Sequence, residues 1–235
     1  MHRNFLTEMA RPISNRPQDA ILHYNTELVD VLEGHRIWAG SYDTTPNPLL
    51  ALEMRILREQ LGSVQGMRIL DAGCGTGRWM RELSSRGARV FGIDACHEMI
   101  RRAPVPAALA DVERIPVADD AFDVVICSFL LAYVPCGVIA ELARVASRVI
   151  VSDLHPGTEW KRSFRAGGTV IHMRHQNHSI DALDDCARQS GLVRECRIEA
   201  SFGEPERGIF EEAGKGNLFD QVRHVPAVLA TIWRK

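Results

Sequence analysis

The chain has 235 residues, 46% of them hydrophobic and 25% charged, enough to bury a full core in one large α/β domain or two small ones. A formal net charge of -2, with Lys and Arg scattered, argues against the basic field that nucleic acid partners need. No run approaches the ~20 apolar residues of a membrane span, and the amino terminus shows no signal sequence, so a cytoplasmic protein without membrane partners is expected.

Residues 1–20, with Pro12 and Pro17, read as a loose arm. Ile21, Leu22, Leu28, Val29 and Leu32 are spaced for a helix over 21–34, and Leu50, Met54, Leu57 and Leu61 for another over 49–61. An irregular segment, Trp38 to Pro48, lies between them. From Met67 short apolar runs alternate with helical ones, which predicts a parallel sheet covered on both faces. Strands are expected over 68–72, 89–93, 107–110, 122–128 and 149–153, with helices from Thr76 to Gly87 and from Pro135 to Ser147. A polar, His-rich stretch then runs to His178, and Ser179 caps a helix that ends before Gly191. Strands near 192–200 and 225–233 close the chain as an antiparallel pair across a long loop, 201–224. The expectation is therefore α/β, a Rossmann-like three-layer sandwich with a seven-stranded, mostly parallel sheet. The six cysteines form no C-x-x-C pair, which points to reduced thiols rather than a disulfide framework or a zinc site.

The chemistry concentrates at Asp71-Ala72-Gly73-Cys74-Gly75-Thr76-Gly77. Glycines between a strand and a helix let the backbone approach a ligand closely. Position 78 is Arg where a dinucleotide G-x-G-x-x-G fingerprint wants glycine, and no phosphate-binding G-K-[ST] is present. Asp94 ends the second strand, where a carboxylate can accept from both hydroxyls of a ribose, and Asp111 ends the third. Carboxylates at three neighbouring strand ends repel a pyrophosphate and suit a ligand bearing a ribose, an amine and a cationic sulfur. Asp123 reads as a structural acid holding the turn into its strand. Ser128, at the end of that strand, reads equally as a helix cap or a cofactor contact.

Ile69 to Gly77 resembles motif I of the class I S-adenosylmethionine-dependent methyltransferase superfamily, small-molecule type. Asp94-Ala95-Cys96-His97-Glu98-Met99-Ile100 is similar to the run that follows in that family, with Cys96 in place of the usual Ser. Asp111-Val112-Glu113-Arg114-Ile115-Pro116 and Ala121 to Val125 resemble two later motifs. The resemblance implies S-adenosylmethionine as cofactor and S-adenosylhomocysteine as product. It implies that Gly73, Gly75 and the Asp71 region hold the methionine portion, Asp94 the ribose, and Met99, Asp111 and Val112 the adenine, with Ala72, Gly77 and Ala95 also in the cofactor site. It also implies an amino-terminal helical arm and lid over 1–60 on a methyltransferase domain over 61–235. Tyr42 then either caps the methionine end of the donor or anchors a contact between helices.

An acidic oxygen or carbon acceptor benefits from a general base, and His suits that task near neutrality. His155 leaves the fifth strand at its carboxyl edge, in a Ser-Asp-Leu-His-Pro turn; it is either a base or a partner of that turn. By resemblance His178 is the second candidate. His172, His175 and His178 share a spacing that suits a metal only on a helix, which Gly167-Gly168 and the β-branched residues after them disfavour, so no metal is expected. The expected activity is methylation of a small, partly apolar metabolite on oxygen or carbon by a monomer or homodimer, with Phe129 and Tyr133 beside the acceptor. A tRNA or protein methyltransferase and a non-catalytic binding module are the alternatives.

Overall fold

The computed structural model describes residues 25–235 except Val105 and Glu159. The arm over 1–20 and the first residues of the helix expected over 21–34 lie outside the described residues.

The main sheet is built from β2 (Arg68–Ala72), β3 (Arg89–Asp94), β4 (Ala107–Leu109), β5 (Phe122–Ser128), β6 (Ala146–Leu154), β9 (Val193–Ala200) and β10 (Val228–Arg234), in the order β4-β3-β2-β5-β6-β10-β9. The first five run parallel, and β10 is antiparallel to both β6 and β9. Side chains alternate along a strand, and here both sets are apolar. Ile69, Val124, Ile126 and Ile150 enter one core with α2 (Pro48–Leu61), α3 (Arg78–Ser85), α7 (Glu204–Glu212) and α8 (Gly216–Val222). Their neighbours Leu70, Val125, Cys127 and Val151 enter the other with α5 (Val138–Val145) and α6 (Ile180–Gln189). This two-faced burial is why the strands read as continuous apolar runs, and it yields the expected three layers.

A second sheet was not expected. β1 (Asn25–Val29) pairs in parallel with β8 (Thr169–Met173), and β8 pairs antiparallel with β7 (Ser163–Ala166). β1 takes residues 25–29 of the expected helix, and α1 (Val31–Trp38) follows, capped by Asp30, whose carboxylate accepts from Glu33 N. The His-rich stretch is a hairpin turning at Gly167-Gly168, with Gly167 at φ 59°. α1 docks on this sheet through Val29, Phe164, Ile171 and Met173, and Trp38 stacks on Phe164 with ring centroids 4.8 Å apart. β1, α1 and the β7–β8 hairpin thus pack as a small second layer, the expected lid segment, whereas α2 belongs to the main core through Leu49, Leu52, Ile56, Leu57 and Leu61.

Three further expectations change. The loop over 201–224 holds α7 and α8, pinned by Phe202, Phe210 and Phe219 packed edge to face. α3 and α5 are shorter than expected, and β6 begins directly after Val145. Cys136 and Cys186 form a disulfide joining the segment before α5 to α6, with Cα atoms 6.3 Å apart, whereas Cys74, Cys96, Cys127 and Cys196 are free. No helix among the described residues is long and apolar enough to cross a membrane.

Candidate functional site

A cleft of about 1340 Å³, its open mouth included, lies between the carboxyl edge of the main sheet and the lid. Its floor is the glycine turn after β2. Gly73, Gly75 and Gly77 have φ of 76°, 55° and 86°, left-handed values that a side chain would strain. A Cβ on Gly73 would stand 2.7 Å from Leu130, whereas one on Gly75 would enter open space, so only Gly75 leaves room for a ligand against the bare backbone. Thr76 donates to Asp43 at 2.6 Å and so ties the turn to the lid segment that carries Tyr42.

Three carboxylates face this floor. Asp71, at 2% exposure, has Oδ2 buried with no partner, and burial pushes its pKa up to about 7 even though Arg78 opposes the shift. Asp94 accepts from Gly75 N at 2.8 Å and Cys96 N at 2.7 Å, one bond to each oxygen. Each oxygen keeps a lone pair for a ligand hydroxyl. Asp111 accepts from Glu113 N at 2.9 Å and lies exposed after β4. Ala95, Met99, Val112, Ser128 and Tyr42 also line the cleft. Burial pushes the Tyr42 phenol up to about 12, so it stays neutral. Ala72 and Gly77 do not line the cleft: Ala72 is buried within β2, and Gly77 caps α3.

Beneath the floor, Glu53 is fully buried and accepts from Trp79 Nε1 at 3.1 Å, Ser128 Oγ at 2.8 Å and Ser152 Oγ at 2.7 Å, and pairs with Arg78 at 2.8 Å. The arginine that spoils a dinucleotide fingerprint is thus the counter-ion of a buried acid. Ser128 is part of this network as well as the cleft wall.

The two expected bases stand elsewhere. His155 receives Gly157 N–H on Nδ1 at 3.1 Å and meets Glu199 through Nε2 at 3.0 Å, which leaves no lone pair free. His178 donates Nε2–H to the carbonyls of Leu131 and Val134, both at 2.9 Å, and staples that turn. Both line a smaller cavity behind Leu131 and Asp153, and neither faces the cleft. Among the described residues no group of three or more His, Cys, Asp or Glu could hold a metal.

A cleft histidine escaped the sequence reading. His35, half-buried on α1, donates Nδ1–H to Val31 O at 2.9 Å, which leaves Nε2 as the lone-pair nitrogen. Its ring meets Tyr133 edge-on at 5.5 Å, and burial lowers its pKa from the usual range. An amphipathic helix offers no signal that singles out such a residue; only its seat on the hairpin turns it inward. Phe129, expected beside the acceptor, does line the cleft and has φ 54°, an outlier for an aromatic residue of the kind that gathers at ligand sites.

A doubly covered parallel sheet with acidic strand ends and an open glycine turn defines a site for a cationic, ribose-bearing ligand. Residues 70–149 match the family described as Methyltransferase domain. The chain is 33% identical over 167 residues to the ubiquinone biosynthesis O-methyltransferase of Alkalilimnicola ehrlichii, covering 60% of this chain and 67% of that one. It is 36% identical over 162 residues to the malonyl-[acyl-carrier protein] O-methyltransferase of Serratia marcescens, covering 64% of this chain and 54% of that one. The chain spans from a third to two thirds of the length of such curated relatives. Its fold resembles that of an S-adenosylmethionine-dependent methyltransferase from Mesorhizobium loti, with TM-score 0.61 and 22% identity over 78% of this chain and 98% of that one. The chain belongs to the class I S-adenosylmethionine-dependent methyltransferases.

The residues fit that cofactor. The orphaned Asp71 oxygen suits an ammonium, and the open face of Gly75 admits the chain that carries it.

Proposed function

We propose that the protein transfers a methyl group to a small, partly apolar acceptor, on oxygen or carbon, held between the lid and the turn after β5. Asp71 and the glycine turn would hold the methionine end of the donor, Asp94 the ribose, and Met99, Asp111 and Val112 the adenine. The donor supplies an electrophilic methyl group on a sulfonium, so the protein must align the acceptor and exclude water. Tyr133, Phe129, Trp38 and Leu154 supply the apolar, water-excluding wall. His35 is the base that we assign to the acceptor's proton: it lines the cleft, burial lowers its pKa and so favours the neutral ring, and its Nε2 has no hydrogen-bond partner among the described residues.

The reading rests on one observation above the others, a floor of glycine turn and strand-end carboxylates that shares one cleft with the aromatic and apolar side chains of the lid. The relatives that act on quinone precursors and on a carrier-bound acid are consistent with such an acceptor. The test is His35→Gln, assayed for S-adenosylhomocysteine binding and for methyl transfer to phenols, quinols and carboxylates. Donor-site affinity should hold while turnover falls by ~100-fold or more. Undiminished turnover removes His35 as the base, and silence of the wild type across all acceptors counts against methyl transfer.

A further inference from the structure

We infer that the acceptor carries a single carboxylate on an apolar body, and that Lys161 and Ser163 of the lid hold this carboxylate; the inference rests on the methyl-transfer reading of the same cleft. Among the described residues three cations line the cleft: Arg78, Lys161 and Arg162. Two are already neutralised. Arg78 belongs to the buried Glu53. Arg162 is paired with Asp153, and its guanidinium lies 5.2 Å from the centroid of the Tyr133 ring. Lys161 has no hydrogen-bond or ion-pair partner among the described residues.

Two residues further on, Ser163 is 3% exposed, lines the same cleft, and its Oγ has no partner. An unmet buried hydroxyl is costly, and a ligand oxygen accepting from it removes that cost. An anion is directed here by charge, since Asp71, Asp94 and Asp111 stand together at the strand ends and repel it from the donor side. One free cation and one hydroxyl match the charge and acceptor count of a carboxylate, whereas a phosphate dianion would keep an uncompensated charge. Val31, Leu32, Leu154 and Met173 line the same cleft with apolar surface, which suits an apolar body for the ligand. The carboxylate in this reading is an anchor, and the atom that is methylated lies elsewhere on the acceptor.

The test compares octanoate with octanol as probes, by calorimetric titration of the free protein and of its S-adenosylhomocysteine complex. Octanoate should bind at least ~10-fold tighter than octanol. Lys161→Met should abolish this preference, Lys161→Arg should keep it, and Ser163→Ala should weaken octanoate several-fold, all with unchanged affinity for S-adenosylhomocysteine. Equal affinity for the two probes, absence of octanoate binding, or a preference that survives in Lys161→Met overturns the inference. Failure to bind S-adenosylhomocysteine would instead sink the methyl-transfer reading, and the probe comparison in the free protein still decides the anchor.

Discussion

Binding of S-adenosylhomocysteine at pH 7 should expel about half a proton from the protein. Asp71 is buried, its Oδ2 lacks a partner, and its pKa lies at about 7, so about half of the free molecules carry a proton there at pH 7. An ammonium brought against this carboxylate favours its charged form and lowers its pKa by ~1–3. The protonated half must then ionise. At pH 6 the free protein is about nine-tenths protonated at Asp71, so for a lowering of ~2 or more the release grows to roughly 0.8–0.9 proton; well above pH 8 it vanishes. The assay is calorimetric titration in buffers of different ionisation enthalpy, where the slope of observed heat against buffer enthalpy counts protons. Asp71→Asn is the control, because it retains whatever proton the ligand's own amine exchanges and loses the carboxylate's share. Its affinity should fall by roughly 10-fold or more, the worth of one charged hydrogen bond. A slope that is unchanged between wild type and Asp71→Asn would refute the assignment of Asp71 to the amine.

The pH profile of methyl transfer should show an acid limb below the usual histidine range near 6.5, because burial lowers the pKa of His35 while Asp94 raises it and Arg162 lowers it, with the neutral Tyr133 phenol ring against it; a limb at or above 6.5 contradicts that base. Glu53→Ala should cost ~3–5 kcal/mol in chemical denaturation, since it strands the half-buried Arg78 and three other donors, and a loss under 1 kcal/mol would show that the network is relieved by water. Gly34→Val should loosen the lid, as a Cβ at Gly34 stands 2.5 Å from Met173 Cγ; hydrogen exchange over 31–38 and 169–173 should quicken while the main sheet keeps its protection.

The main sheet was legible because its strands are apolar on both faces: Ile69 and Leu70 enter different cores, and so do Val124 and Val125. The donor floor was legible for a related reason, since turn glycines and strand-end carboxylates are local in sequence. The lid was not. In β1 only Val29 is buried, so Asn25-Thr26-Glu27-Leu28 carries no strand period, and its pairing with β8 comes from residues some 140 positions away. Thr169, Val170 and Ile171 do carry a strand signal beside the Gly167-Gly168 turn, a hairpin mark that the surrounding histidines obscured. α7 was hidden inside a polar run, although Pro205 and Glu206 sit at its start and Glu206 bonds back to Gly203 N at 2.8 Å. The disulfide joins cysteines 50 positions apart that only the packing of α5 against α6 brings together. His155 looked catalytic because its turn leaves the sheet edge, and His178 by resemblance, yet their hydrogen bonds go to Glu199, Gly157 and backbone carbonyls.

The most direct test of the donor floor is titration of wild type and Asp94→Ala with S-adenosylhomocysteine and with a nicotinamide dinucleotide. The wild type should bind S-adenosylhomocysteine and not the dinucleotide, and Asp94→Ala should lose on the order of 2–4 kcal/mol of that affinity with the fold retained. Dinucleotide binding without S-adenosylhomocysteine binding, or an Asp94→Ala affinity equal to that of the wild type, would contradict the account.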